Sequence, residues 1–188
     1  MTRFEDAILF AVQKHSGMIR KQENIPYILH PMETAAIAGT LSNDEELLAA
    51  AVLHDTVEDT DTDIEEIEHR YGPRVAFLVA SETEKKRPEL APEETWRIRK
   101  EESLEKLKTL SDPAVKILWL GDKLSNMRAL FRAWKEKGDS VWENFHQKDP
   151  GQQAWYYRTI DQLLSELQDS AAWKEYHTLV ETVFSEVI

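Results

Sequence analysis

The 188-residue chain has no cysteine. Disulfides, thiolate metal ligands and a cysteine nucleophile are therefore excluded, and any metal must be held by histidine and carboxylate. Glycine and proline are scarce, six and seven residues, which leaves little material for long disordered linkers. No apolar run approaches the length needed to cross a bilayer. The opening "MTRFEDAILF" carries acids inside its apolar stretch, unlike a secretory leader. Basic residues are in deficit, with 23 Lys and Arg against 35 Asp and Glu for a formal net charge of −12. That argues against a nucleic-acid partner, whose backbone calls for a broad basic surface. A small anionic ligand is still compatible, because a few cations inside a cleft dominate the local field. The expectation is a cytoplasmic enzyme or binding protein with no membrane association.

Hydrophobic content of 41% with 31% charged residues is ordinary for a globular protein, and the length suits one domain. Helical signals run throughout. Thr2 is placed to cap a helix over 2–16, and Pro31 to open a second helix reaching about Leu41. Asn43 or Asp44 starts a third through "EELLAAAVLHD", apolar nearly all round from Leu47 to Leu53 and so central and buried. Asp63 caps "IEEIEHRY", Pro73 opens "RVAFLVASET", and a charged helix spans Pro92 to Leu110 after the loop "EKKRPELAP". Ser111 or Asp112, with Pro113, starts a long helix to about Gly138, and two or three amphipathic helices follow. "MIRKQENIPYILH" reads as a loop, and no strand pattern or hairpin turn competes anywhere. The predicted architecture is all-α, a single multi-helix globule over 1–188. Its motif-bearing part is about 1–138, with the helices of 139–188 packed on it.

Within this pattern "AVLHDTVEDT" is anomalous. It ends a buried helix with His54, Asp55, Glu58 and Asp59, groups that are costly to bury without partners. His30 stands just before Pro31, and Asp122 interrupts the apolar "ILWLGDKL". Imidazole and carboxylate together suit a divalent ion of the Mn, Fe or Zn type. His30, His54, Asp55 and Asp122 would make a two-His, two-Asp metal site, and such an ion makes water nucleophilic near neutral pH. Glu58 or Asp59 could orient that water or carry its proton. Each residue also has a plainer reading, as an ion pair, a turn histidine or a solvated acid. The conjunction of all of them is what favours a metal site.

Four ordered pieces carry a family resemblance: "HSGMIRK" at 15–21, "PYILHP" at 26–31, "AVLHDTVEDT" at 51–60 and "LGDKLSNMRAL" at 120–130. With them the chain resembles the HD-domain metal-dependent phosphohydrolases, and among these the small alarmone hydrolases of the RelA/SpoT type. The resemblance implies one divalent ion, usually Mn2+, on His30, His54, Asp55 and Asp122, with Glu58 and Asp59 supporting water attack. It implies substrate contacts at Arg20, Lys21 and Asn126, and Lys123 and Arg128 are further candidate cations. The implied partner is a small-molecule nucleotide. The implied reaction is removal of the 3′-pyrophosphate of guanosine tetra- or pentaphosphate, giving GDP or GTP and pyrophosphate.

The chain departs from the family pattern at Met18, at Lys123 and Ser125 around Asp122, and at Ala129, while the ligand and acid positions themselves match it. Alternatives are therefore kept for the substrate: an adenosine alarmone, the 2′-phosphate of NADPH or a nucleoside monophosphate. A non-catalytic nucleotide-binding module is the reading from another class. "EKKRPEL" at 84–90 and "WRIRK" at 96–100 could add cations to a cleft or form solvated faces, and "AWYYR" at 154–158 could face a base or lie in the core. Oligomeric state is left open.

Overall fold

The computed structural model describes residues 1–20, 23–87 and 89–187. Thr2 closes a reciprocal capping box with Glu5 at the head of α1 (Arg3–Lys14). The next segment forms a two-stranded antiparallel ribbon, β1 (Ile19–Arg20) and β2 (Ile25–Pro26), with Ile19 opposite Pro26. Sequence reading took this stretch as a loop without strands. Two-residue strands are too short for an alternating pattern to register, and among the described residues of the connection Asn24 takes a positive φ.

α2 (Leu29–Gly39) begins two residues earlier than Pro31 suggested, so His30 lies in its first turn. Pro31 is tolerated there because the first amides of a helix have no intrahelical acceptor. α3 (Glu45–Leu53), capped by Asp44, stops at Leu53, and a separate single turn, α4 (Thr56–Asp59), follows. α5 (Ile64–Tyr71) is capped by Asp63, and α6 (Pro73–Glu82) starts at Pro73 after Gly72. α7 (Pro92–Thr109) and α8 (Pro113–Lys137) match expectation, with Asp112 capping α8. The first of the two or three segments expected after α8 is not an α-helix: residues Gly138–Asn144 form a 3-10 segment. α9 (Pro150–Leu163) and α10 (Ala171–Val183), capped by Asp149 and Ser170, complete the all-α architecture.

α3 is the hub, with Leu47 and Ala49 through Leu53 fully buried. It is surrounded by α1, α2, α6 and α8, and α8 in turn carries α2 on one side and α10 on another. The α2–α8 contact positions the site. A Cβ at Gly121 would lie 2.8 Å from the carbonyl oxygen of Thr34, so only glycine lets α8 approach α2 this closely. That approach sets Asp122 against His30. The C-terminal aromatics belong mostly to the core: Trp142 stacks on Phe184, and Tyr156 and Tyr157 are buried.

Candidate metal centre and cleft

Three separate elements deliver the polar cluster. His30 comes from the first turn of α2, Asp122 from the middle of α8, and His54 with Asp55 from the break between α3 and α4. His54 and Asp55 keep right-handed helical backbone at this junction, and Asp55 Oδ2 lies 3.2 Å from the Nε2 of His54.

Ligand atoms of His30, His54 and Asp122 all lie within 4.8 Å of one another. His30 Nε2 is 3.0 Å from Asp122 Oδ1 and 3.4 Å from Asp55 Oδ2, and His54 Nε2 is 3.6 Å from Asp122 Oδ1. The four expected ligands therefore converge.

The hydrogen bonds on the far side of each ring decide what faces the centre. His54 Nδ1 is 2.9 Å from the carbonyl oxygen of Ala51, which can only accept, so Nδ1 carries the proton. His30 Nδ1 is 2.8 Å from Ser125 Oγ, whose single proton is donated to Glu33 Oε2 at 2.7 Å. Nδ1 of His30 must then donate too. In its neutral form each ring then turns an Nε2 lone pair toward carboxylate oxygens, and His54 Nε2 is buried with no hydrogen-bond partner. Lone pair against carboxylate is repulsive unless a cation lies between them.

Burial pushes the Asp55 and Asp122 carboxyls up, but neighbouring groups more than offset it. The His54 and His30 rings hold Asp55 well below the ordinary carboxylate range, and Lys123 with the same rings does so for Asp122. Burial lowers the His54 imidazole, yet Asp55 and Asp122 raise it well above its ordinary value. The residues alone can balance these charges only by placing a proton on His54 Nε2. A divalent cation balances them without one, so the donor set fits such an ion.

His30, Asp55 and Asp122 of the cluster line a cleft of about 530 Å³, while His54 is buried. Arg20, Lys123 and Asn126 line it, as do Glu58 and Asp59. Asn126 Nδ2 donates to Asp122 Oδ1 at 2.6 Å and its oxygen accepts from Arg20 at 2.8 Å, linking the cleft wall to a ligand. Lys123 is buried between Asp122 and Glu82, which raise its pKa well above the ordinary value against the effect of burial. Burial pushes Glu58 up to about 7, aided by the charges of Asp55 and Glu84. Arg128 is not among the cleft-lining residues. Its guanidinium is held by Glu175, at 2.7 Å, and by Glu33, at 2.9 Å. Lys21 lies outside the described residues.

Sequence reasoning assigned no role to Tyr27, Glu33 or Glu84. The Tyr27 hydroxyl sits 2.6 Å from Asp55 Oδ2 and 2.8 Å from Asp59 Oδ2, bridging a ligand to the acidic pair. Glu84 is gripped by Arg99 and Lys100, both at the cleft, so the "WRIRK" segment borders the site. Lys86 and Arg87 line an adjoining hollow of about 410 Å³ that shares Glu58 and Arg99 with the cleft. The signal for Tyr27 was its place in "PYILHP"; Glu33 and Glu84 read as ordinary acids.

Comparison with known proteins identifies the family. The sequence matches the family described as "HD domain" over residues 7–149. It is 41% identical over 132 residues to a guanosine-3′,5′-bis(diphosphate) 3′-pyrophosphohydrolase of Aquifex aeolicus, covering 70% of this chain and 18% of the relative. It is 41% identical over 137 residues to a human protein of that name, covering 70% of this chain and 71% of the relative. The chain thus spans under a fifth of the Aquifex protein and most of the human one. A solved structure titled "A metazoan ortholog of SpoT hydrolyzes ppGpp and plays a role in starvation responses" is similar, with a TM-score of 0.73 at 26% identity. That match covers 99% of this chain and 96% of the other.

Proposed function

Since the chain belongs to the HD-domain family, we propose that it is a metal-dependent phosphohydrolase that removes the 3′-pyrophosphate of guanosine tetra- or pentaphosphate. One observation carries the reading: two histidines and two aspartates, from three elements, face one another, and His30, Asp55 and Asp122 among them line a cleft. His30, His54, Asp55 and Asp122 would hold the ion, with Mn2+ as the proposed metal. When bound, such an ion supplies Lewis-acid stabilisation of phosphoryl charge and lowers the pKa of water.

The remaining chemistry belongs to side chains. Glu58, with its pKa pushed up to about 7, can accept the proton of the attacking water near neutral pH. Its Oε2 accepts from the Glu84 amide at 3.2 Å, leaving Oε1 for the proton. Asp59 has Lys86 on Oδ1 and Tyr27 on Oδ2, so it orients its neighbours rather than moving a proton. Water attack at the 3′-linked phosphorus breaks the bond to O3′. Pyrophosphate leaves, and the 3′-oxygen takes a proton as GDP or GTP is released. Arg20 and Asn126 are proposed to bind the nucleotide, together with Arg99 and Lys100, which line the same cleft. A cytoplasmic site and a single domain over 1–188 go with this reading.

Charge balance favours keeping a second substrate in view. Among the described residues lining the cleft, Asp55, Glu58, Asp59, Glu82, Glu84 and Asp122 face Arg20, Arg99, Lys100 and Lys123. Burial pushes Glu58 up to about 7 and Glu82 up to about 8, so near neutral pH these acids and bases are close to balance and a divalent ion leaves only a small positive surplus for phosphates. A less anionic nucleotide, such as NADPH losing its 2′-phosphate, fits that count, whereas guanosine tetraphosphate needs Lys86 and Arg87 from the adjoining hollow. Chromatographic product analysis of guanosine tetraphosphate, its adenosine counterpart and NADPH with Mn2+-loaded protein separates the two. Pyrophosphate with GDP supports the first reading. Phosphate from NADPH alone replaces it with the second, and no turnover of any of the three rejects both.

A further inference from the structure

The two histidines are prepared for a metal by different devices. His54 Nδ1 donates to a backbone carbonyl, that of Ala51, which no substitution of a side chain can remove. His30 relies on side chains. Its Nδ1 meets Ser125 Oγ at 2.8 Å, and Ser125 passes its own proton to Glu33 at 2.7 Å. Glu33 is one helical turn beyond His30 on α2, and the fully buried Ser125 enters between them from α8. Arg128 Nη1 holds the other Glu33 oxygen at 2.9 Å while its Nε and Nη2 bind Glu175 on α10.

A neutral imidazole has one proton and two places for it. On Nε2 it would be stabilised by Asp122 Oδ1 at 3.0 Å, and the nitrogen could not then ligate. The geometry points to Ser125 and Glu33 as positioning residues that keep the proton of His30 on Nδ1 and so hold its Nε2 open to a divalent cation. The chain Glu175–Arg128–Glu33–Ser125–His30 extends that support to the last helix, outside the residues matched by the family comparison. The inference rests on the metal-site reading above, and it explains how a serine serves at a position where the sequence departs from the family pattern.

The test compares wild type, Ser125→Ala, Ser125→Thr and Glu33→Gln by calorimetric Mn2+ titration and by long-range nitrogen–proton NMR of the metal-free imidazoles at alkaline pH. Ser125→Ala is expected to move the His30 proton to Nε2 and to weaken Mn2+ binding about 10- to 100-fold, the usual effect of removing such a partner. Ser125→Thr keeps the hydroxyl and is expected to recover most of the affinity and the Nδ1 proton. Thermal melting of the metal-free forms separates this from general loosening, which would lower the melting temperature without moving the tautomer. If Ser125→Ala does not fold, Glu33→Gln carries the same expectation in weaker form. Unchanged affinity and an Nδ1 proton in folded Ser125→Ala or Glu33→Gln overturn the inference while leaving the metal site intact. Wild type that binds no Mn2+ overturns both.

Discussion

Replacing Gly121 with alanine probes the contact that assembles the site. The added Cβ would lie 2.8 Å from the Thr34 carbonyl oxygen, 0.6 Å short of the 3.4 Å at which ordinary contact begins. The obstacle is backbone, so one helix must move. Alanine would ordinarily gain about 1 kcal/mol over glycine inside a helix, but overpacking a close contact costs roughly 1–3 kcal/mol. The expected net effect is a loss of up to about 2 kcal/mol, which for a chain of this size lowers the melting temperature by at most about 8 °C. The consequence for binding is larger. A shift of that size carries Asp122 away from His30, now 3.0 Å from it, and exceeds the tolerance of about 0.5 Å that preorganised sites demand. Mn2+ affinity is expected to fall by about tenfold or more. Thermal melting and calorimetric Mn2+ titration read the two effects. A Gly121→Ala variant that is more stable than wild type and binds Mn2+ unchanged would refute the claim that this contact sets the centre.

Glu58→Gln is expected to reduce kcat by about 10²- to 10⁴-fold with little change in KM. In wild type, activity is expected to decline as pH falls through about 7, where Glu58 takes up a proton and can no longer accept one; a profile flat down to pH ~5 would remove it as the base. Arg20→Ala should raise KM because Arg20 lines the cleft, whereas Arg128→Ala should leave KM unchanged and lower stability, since its guanidinium is held by Glu33 and Glu175; steady-state kinetics on both variants decides. Lys123→Ala removes the ammonium between Asp122 and Glu82, both buried, and leaves unpaired charge at a cost of about 3–5 kcal/mol, measurable by denaturant unfolding.

Much of this organisation was readable because it is local. Thr2, Asp44, Asp63, Pro73 and Asp112 announce their helices within a few residues, and each is where the chain turns. The proposed metal ligands were readable for a different reason: His54, Asp55 and Asp122 are polar groups in apolar runs, and such groups require partners. The break after Leu53 was hidden, since "EELLAAAVL" contains no residue that interrupts a helix. The partners of the ligands were hidden as well. Ser125 and Glu33 are 92 residues apart, and Tyr27 and Asp59 are 32 apart, so their hydrogen bonds exist only through tertiary packing. Arg128 resembled a substrate cation because nothing nearby in sequence indicated that Glu175 would meet it.

Anomalous diffraction from crystals soaked in Mn2+ addresses the metal centre directly. One peak is expected within bonding distance of His30 Nε2, His54 Nε2, Asp55 Oδ2 and Asp122 Oδ1, and it should vanish in His54→Ala. A peak elsewhere, or none at these four atoms while Mn2+ is present in excess, would contradict the assignment of this cluster as the catalytic metal site.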